Sequence, residues 1–222
     1  MASTAHRSLA RREDLGLTRA EFALLRGLGT PQKIQAFVNA IPINHEVAGE
    51  TILSVRQVLA QRRAHCIEAA FVAACALWIH GERPLVMHLD CERSDDPHVV
   101  ALFRRHRAWG AISKSNGAHL RHRDPIYRSL RELALSFFHE YFDLRGRRTL
   151  RSYSVAFDLR RIDTALWITQ DDMCEEANAR LAGLRHYALV APGRRFRPSS
   201  LDAFEQRAAS MVEYPRPQIR KR

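Results

Sequence analysis

A catalytic cysteine needs a field that favours its thiolate, a base within hydrogen-bond reach, and a third group that holds that base. The stretch QRRAHCIEAAFVAACALWIHG, residues 61–81, offers the first of these. Cys66 follows two arginines and a histidine and opens a run that is apolar nearly all round. The run is expected as a central, buried helix closed by Gly81, with Cys66 at its N-terminus. That end of a helix carries partial positive charge and free N–H groups, which lower a thiol pKa and can receive an oxyanion. Cys75, in the middle of the same run, reads as a core residue.

Among eleven histidines, His98 is the expected base, because it follows the acidic turn ERSDDP and opens the strand-like run HVVALF. A side chain at a strand's first position lies at the sheet edge, where a helix N-terminus can meet it. A second run, WGAISKSN (109–116), returns after the short basic turn RRHRA, as in a β-hairpin. Its register decides which residue orients His98, since a slip of one residue flips every side chain to the other face. If Arg104 pairs with Ala108, Lys114 stands opposite His98 and Asn116 shares its face. If Arg104 pairs with Arg107, Ser113 faces His98. An amide or carboxylate suits the role better than a hydroxyl, so Asn116 is the expected orienting residue, and Asp124 the alternative. Trp109, at the start of the same strand, is a candidate wall of the cleft. The spacing His88-x-x-Cys91 could suggest a metal, but strand alternation sends the two side chains to opposite faces and no matching second pair follows.

Taken together, RRAHCIEAA, HGERPLVMHLDC, DDPHVVALF and RAWGAISKSN resemble the transglutaminase-like branch of the papain-type cysteine peptidase superfamily, in a bacterial form. The resemblance covers residues 54 to about 142. It implies Cys66 as nucleophile, His98 as base and Asn116 as orienting group. It also suggests Gln61 for the oxyanion hole, by analogy with an upstream glutamine in the papain type. The sequence departs from the family where an Asp, often followed by Pro, is usual in the third position; here the Asp–Pro pair comes later, at Asp124–Pro125.

The elements that must position these groups follow from periodicity and caps. Helices are expected over 17–29, over 30–42 with Thr30 as N-cap and Pro31 at the first turn, and over 54–64. Strands follow at 85–91, 98–103 and 109–116, then a long helix over 125–142 opened by Asp124–Pro125. Beyond it, 150–159 reads as a strand, 169–184 as a helix capped by Thr169, and 200–213 as a helix. Residues 1–13 and the tail YPRPQIRKR are expected to be unstructured. The order argues for an α+β fold: a core over 14–142, with a Cys-bearing helix on a small antiparallel sheet, and a mainly helical extension over 143–222.

With 46% apolar and 27% charged residues, the 222-residue chain has the composition of a globular protein with its own core. Four cysteines without a CxxC pair do not form a disulfide framework, and the basic start lacks an apolar signal segment. The longest apolar run is too short for a bilayer, so a reducing cytoplasm is the expected location, without membrane contact. The net charge of +11 raises nucleic acid as a partner, but it is spread in short arginine pairs without a basic stripe. The expected function is therefore cofactor-free, thiol-dependent acyl transfer on a protein or peptide substrate, with water as acceptor. A binding module of the same fold without turnover, or one docking on nucleic acid, is the alternative.

Overall fold

Caps written in the sequence set the N-terminal layer. Thr18 and Glu21 form a reciprocal capping box on α1 (Arg19–Arg26). Thr30 and Pro31 open α2 (Pro31–Ala40), and Ser54 caps α3 (Val55–Gln61). All three pack around α4 (Cys66–Ile79), whose alanines let the neighbouring backbones approach closely. From Ile67 to Leu77 no α4 side chain is more than 4% exposed, which accounts for a helix that is apolar all round. Gly81 ends the helix at φ 82°, with the Glu82 N–H bonded to the Leu77 carbonyl. The structure, a computed structural model, describes residues 9–190 and 198–217.

Beneath α4 lies an antiparallel sheet of seven strands. They are β1 (Leu85–Cys91), β2 (His98–Arg105), β3 (Ala108–Ile112), β4 (Arg123–Tyr127), β5 (Leu150–Ser154), β6 (Phe157–Asp158) and β7 (His186–Ala188). The order is β4-β3-β2-β1-β5-β7, with β6 also paired to β1. Val99, Ala101 and Phe103 face the α4 layer. Val100 and Leu102 face the opposite way, onto Leu133, Ala134 and Phe137 of α5 (Leu130–Phe138). The fold is thus mixed α/β, a sheet with helices on both faces, and among the described residues no helix is long and apolar enough to cross a membrane.

Four sequence expectations about elements need correction. The helix expected from Asp124–Pro125 begins only after Ser129, which caps α5; residues 123–127 form the edge strand β4. An edge position needs no ladder N–H from Pro125 on its open side. Thr169 does not cap a helix: residues 165–169 form a π-turn, and α6 runs Glu175–Ala182. The sheet also does not stop at residue 142, because β5 pairs with β1 and β7 with β5. The last helix, α7, is shorter than expected (Ala203–Ala209) and is capped by Asp202. Of the segments expected to be unstructured, 1–8 and 218–222 lie outside the described residues; Glu13–Leu15 forms a 3-10 turn with Leu15 buried.

Candidate active site

Cys66 is the first residue of α4 and is partly exposed. Its Sγ lies 3.9 Å from His65 Nδ1 and 3.9 Å from the carbonyl oxygen of Pro97, the residue before His98. Among the described residues no acceptor takes the N–H of Cys66 or Ile67, so the first turn presents two free donors beside the sulfur.

His98 opens β2 with its ring on the α5 face, buried against Tyr141. The Tyr141 hydroxyl donates to the Asp96 carbonyl and so fixes the loop that leads into His98. His98 Nε2 lies 2.7 Å from Ser113 Oγ, and that hydroxyl donates to the Leu120 carbonyl at 2.5 Å. Because the serine proton is committed to Leu120, Ser113 accepts from His98. This places the imidazole proton on Nε2 and leaves Nδ1 as the basic nitrogen of the ring.

Ser113 reaches this position through the hairpin. Its turn is His106–Arg107, with φ of 48° and 71°, a two-residue connection of the kind that matches strand twist. Arg105 therefore pairs with Ala108 and Arg104 with Trp109, a register different from both sequence alternatives. It shares its parity with the alternative that puts Ser113 on the face of His98. Gln35 of α2 brackets Ser113, accepting its N–H at 3.0 Å and donating to its carbonyl at 2.7 Å.

The other expected residues stand elsewhere. Asn116 is bound to the C-terminal segment: its Nδ2 donates to the Tyr214 carbonyl at 3.0 Å and its Oδ1 accepts the Tyr214 N–H at 2.9 Å. It lines the same small cavity as His98 but does not orient the ring. Asp124 is 70% exposed on β4, beside His122. Gln61 is exposed at the end of α3 and accepts from Arg63. Trp109 is half-buried and packs against the core beneath α5, under the Arg104 guanidinium.

Two further residues join the site. His65 precedes Cys66 in extended conformation; its Nε2 lies 2.8 Å from the Thr51 carbonyl and 3.4 Å from Glu68 Oε1. Glu68, fully buried one turn into α4, accepts from the Thr51 hydroxyl at 2.8 Å and from the N–H groups of Leu53 and His65 at 2.9 and 2.8 Å. The Asn44 amide completes this set at 3.3 Å. A lone glutamate in an apolar run is the signal that could have found this network, because a buried carboxylate must be paired.

These surroundings set the charge state. Burial raises the Cys66 pKa, but the positive charge of His98, then the hydrogen bond from His65, outweigh it and draw the thiol down to about 5. Burial also opposes charge on His65; the thiolate, Glu68 and the Thr51 carbonyl outweigh it and raise that ring to about 10. By contrast Cys75, held among apolar groups, is pushed up beyond the ordinary thiol range.

Cys66 stands between two cavities. One, of about 240 Å³, runs past His98, His119 and Asn116; the other, of about 710 Å³, opens toward α6 past His88. A chain crossing the thiol could extend to both sides. No family model and no curated protein matches this chain.

Proposed function

We propose that this protein is a thiol-dependent acyl-transfer enzyme with a transglutaminase-like core, hydrolysing an amide bond of a protein or peptide. The observation that carries this reading is the partly exposed Cys66 thiol at a helix N-terminus, set between two histidines that hold it as thiolate near pH 5. In this reading Cys66 Sγ attacks the carbonyl carbon, and the oxyanion is received by the free N–H groups of the first turn of α4. The C–N bond breaks as His98 gives its Nδ1 proton to the departing amine, leaving a thioester on Cys66. Water then attacks the thioester and yields its proton to His98; the C–S bond breaks and the thiolate returns. Hydrolysis needs no second substrate site, which favours it over cross-linking. His65 serves as a fixed cation, because Thr51 and Glu68 hold its far nitrogen, and His98 carries the moving proton. Arginines paired to acids distant in sequence, such as Arg56–Glu21, Arg105–Glu82 and Arg151–Glu92, account for basic residues without a nucleic-acid stripe.

One observation favours a second reading, a binding module of the same fold: a hydroxyl, not a carboxylate or amide, orients His98. Intact-mass analysis with p-nitrophenyl acetate separates the two. The enzyme reading expects acetylation at Cys66 that is lost in Cys66→Ser, with deacetylation slowed at least tenfold in His98→Ala. Absence of the acetyl adduct, or equal turnover in His98→Ala, overturns it in favour of the binding module.

A further inference from the structure

The larger cavity beside Cys66 has a charge opposite to that of the chain. The sequence carries 35 Lys and Arg against 24 Asp and Glu. Yet the cleft toward α6 is lined by Glu46, Glu50, Asp96 and Glu175 against one cationic ring, His65, and among the described residues no lysine or arginine lines it. Glu46 Oε1 faces His65 Nε2 at 3.5 Å, while Glu50, Asp96 and Glu175 are exposed to the cleft's solvent.

A second observation points to a ligand. His88, on the α4 face of β1, lines this cleft and is only 8% exposed. Its Nδ1 lies 2.9 Å from His186 Nε2, and His186 Nδ1 lies 2.7 Å from the Leu184 carbonyl. A carbonyl only accepts, so His186 carries its proton on Nδ1 and its Nε2 accepts from His88 Nδ1. The relay fixes His88 as a neutral ring whose Nε2 is an acceptor, and Nε2 makes no hydrogen bond to any described residue. Burial and the facing His186 hold this imidazole against protonation, down to about 4. The ring is nine-tenths buried and its Nε2 opens on the cleft that the carboxylates line, an acceptor that suits a donor that is itself a cation.

Resting on the acyl-transfer reading, we propose that the α6-side cleft is the specificity pocket for a cationic acyl donor, a peptide with a lysine or arginine side chain next to the scissile bond. The carboxylates draw the ammonium or guanidinium into the cleft, and His88 Nε2 accepts one of its N–H groups. The preference is one of charge sign, and it is screened by salt.

The test reads the thiol itself and does not depend on turnover. Cys66 is modified with methanethiosulfonates bearing a trimethylammonium, a methyl or a sulfonate group, followed by peptide mass mapping, with each rate divided by that of a free model thiol. The proposal expects the cationic reagent to outpace the anionic one by about tenfold or more at low salt. That ratio should fall at least threefold in Glu50→Gln/Glu175→Gln, whose exposed sites leave the fold intact. Prior incubation with a lysyl-lysine peptide amide should protect Cys66, and a glutamyl-glutamate amide should not. Equal rates for the two charged reagents, or a ratio unchanged in the double variant, would overturn it. The neutral methyl reagent, followed against pH, reports separately on the thiol. A midpoint near 8.5 with the charge preference intact would remove the catalytic reading and keep the cleft as a cation-binding site.

Discussion

Removing the His98 ring should move the pH at which Cys66 becomes reactive while leaving its rate near pH 6.5 almost unchanged. In the parent protein burial raises the thiol pKa, the His98 cation is the largest influence against it, and the balance falls near 5. His98→Ala leaves burial opposed by His65 alone, and loss of a nearby opposite charge and its hydrogen bond is worth about 2–3 pKa units. The midpoint should therefore rise to about 7.5. At pH 6.5 the thiolate fraction then drops about tenfold. A more basic thiolate is also a better nucleophile, with a Brønsted slope of about 0.4–0.5, so each remaining thiolate reacts about tenfold faster. The two effects cancel, and only the full profile discriminates. Iodoacetamide labelling of Cys66, followed by peptide mass mapping from pH 4 upward, should give a midpoint near 5 in the parent and an upward shift of about two units in His98→Ala. A parent midpoint at or above about 8.5 refutes the reasoning. So does a parent midpoint near 5 that does not move in the variant.

Ser113→Ala should lower deacylation about 10- to 150-fold through loss of one hydrogen bond to a charged ring, with Cys66 labelling retained; paired kinetic and labelling assays check it. Glu68→Ala should destabilise the fold by about 3 kcal/mol or more, read by urea unfolding, because Asn44, Thr51 and the Leu53 N–H lose their buried acceptor. A Cβ at Gly110 would clash with the Phe103 ring and sit 2.8 Å from the Arg123 carbonyl, so Gly110→Ala should cost about 2 kcal/mol in the same assay. His88 has a folded pKa near 4, below the 6.5 of the free ring. Between these values the unfolded chain binds more protons, so stability is full above about 6.5 and is lost as pH falls toward 4. Melting curves at pH 4.5 and 7 should show a smaller difference in His88→Gln than in the parent.

The N-terminal half of the fold was legible because its signals are local. Thr30–Pro31, the apolar run of α4 and its Gly81 stop each depend on contacts within a few residues. Cys66 at a helix start and His98 at a strand start are legible for the same reason: an element's first residue is marked by where its periodicity begins. The partner of His98 was not. It depended on the hairpin register, which the left-handed conformations of His106 and Arg107 set, and neither is the glycine or asparagine that ordinarily announces such a turn. Asn116 was drawn away by Tyr214, nearly a hundred residues later, and Asp124 by the pairing of β4 at the sheet edge. No local pattern encodes either contact. Sequence by itself determined where α2, α4, β1 and β2 begin and that α4 must be buried. Tertiary structure alone decided which side chains meet across elements: Ser113 with His98, Glu68 with the Thr51 loop, and His88 with His186. The physical reason is that those meetings depend on register and packing between distant segments, where a shift of one residue exchanges one face for the other.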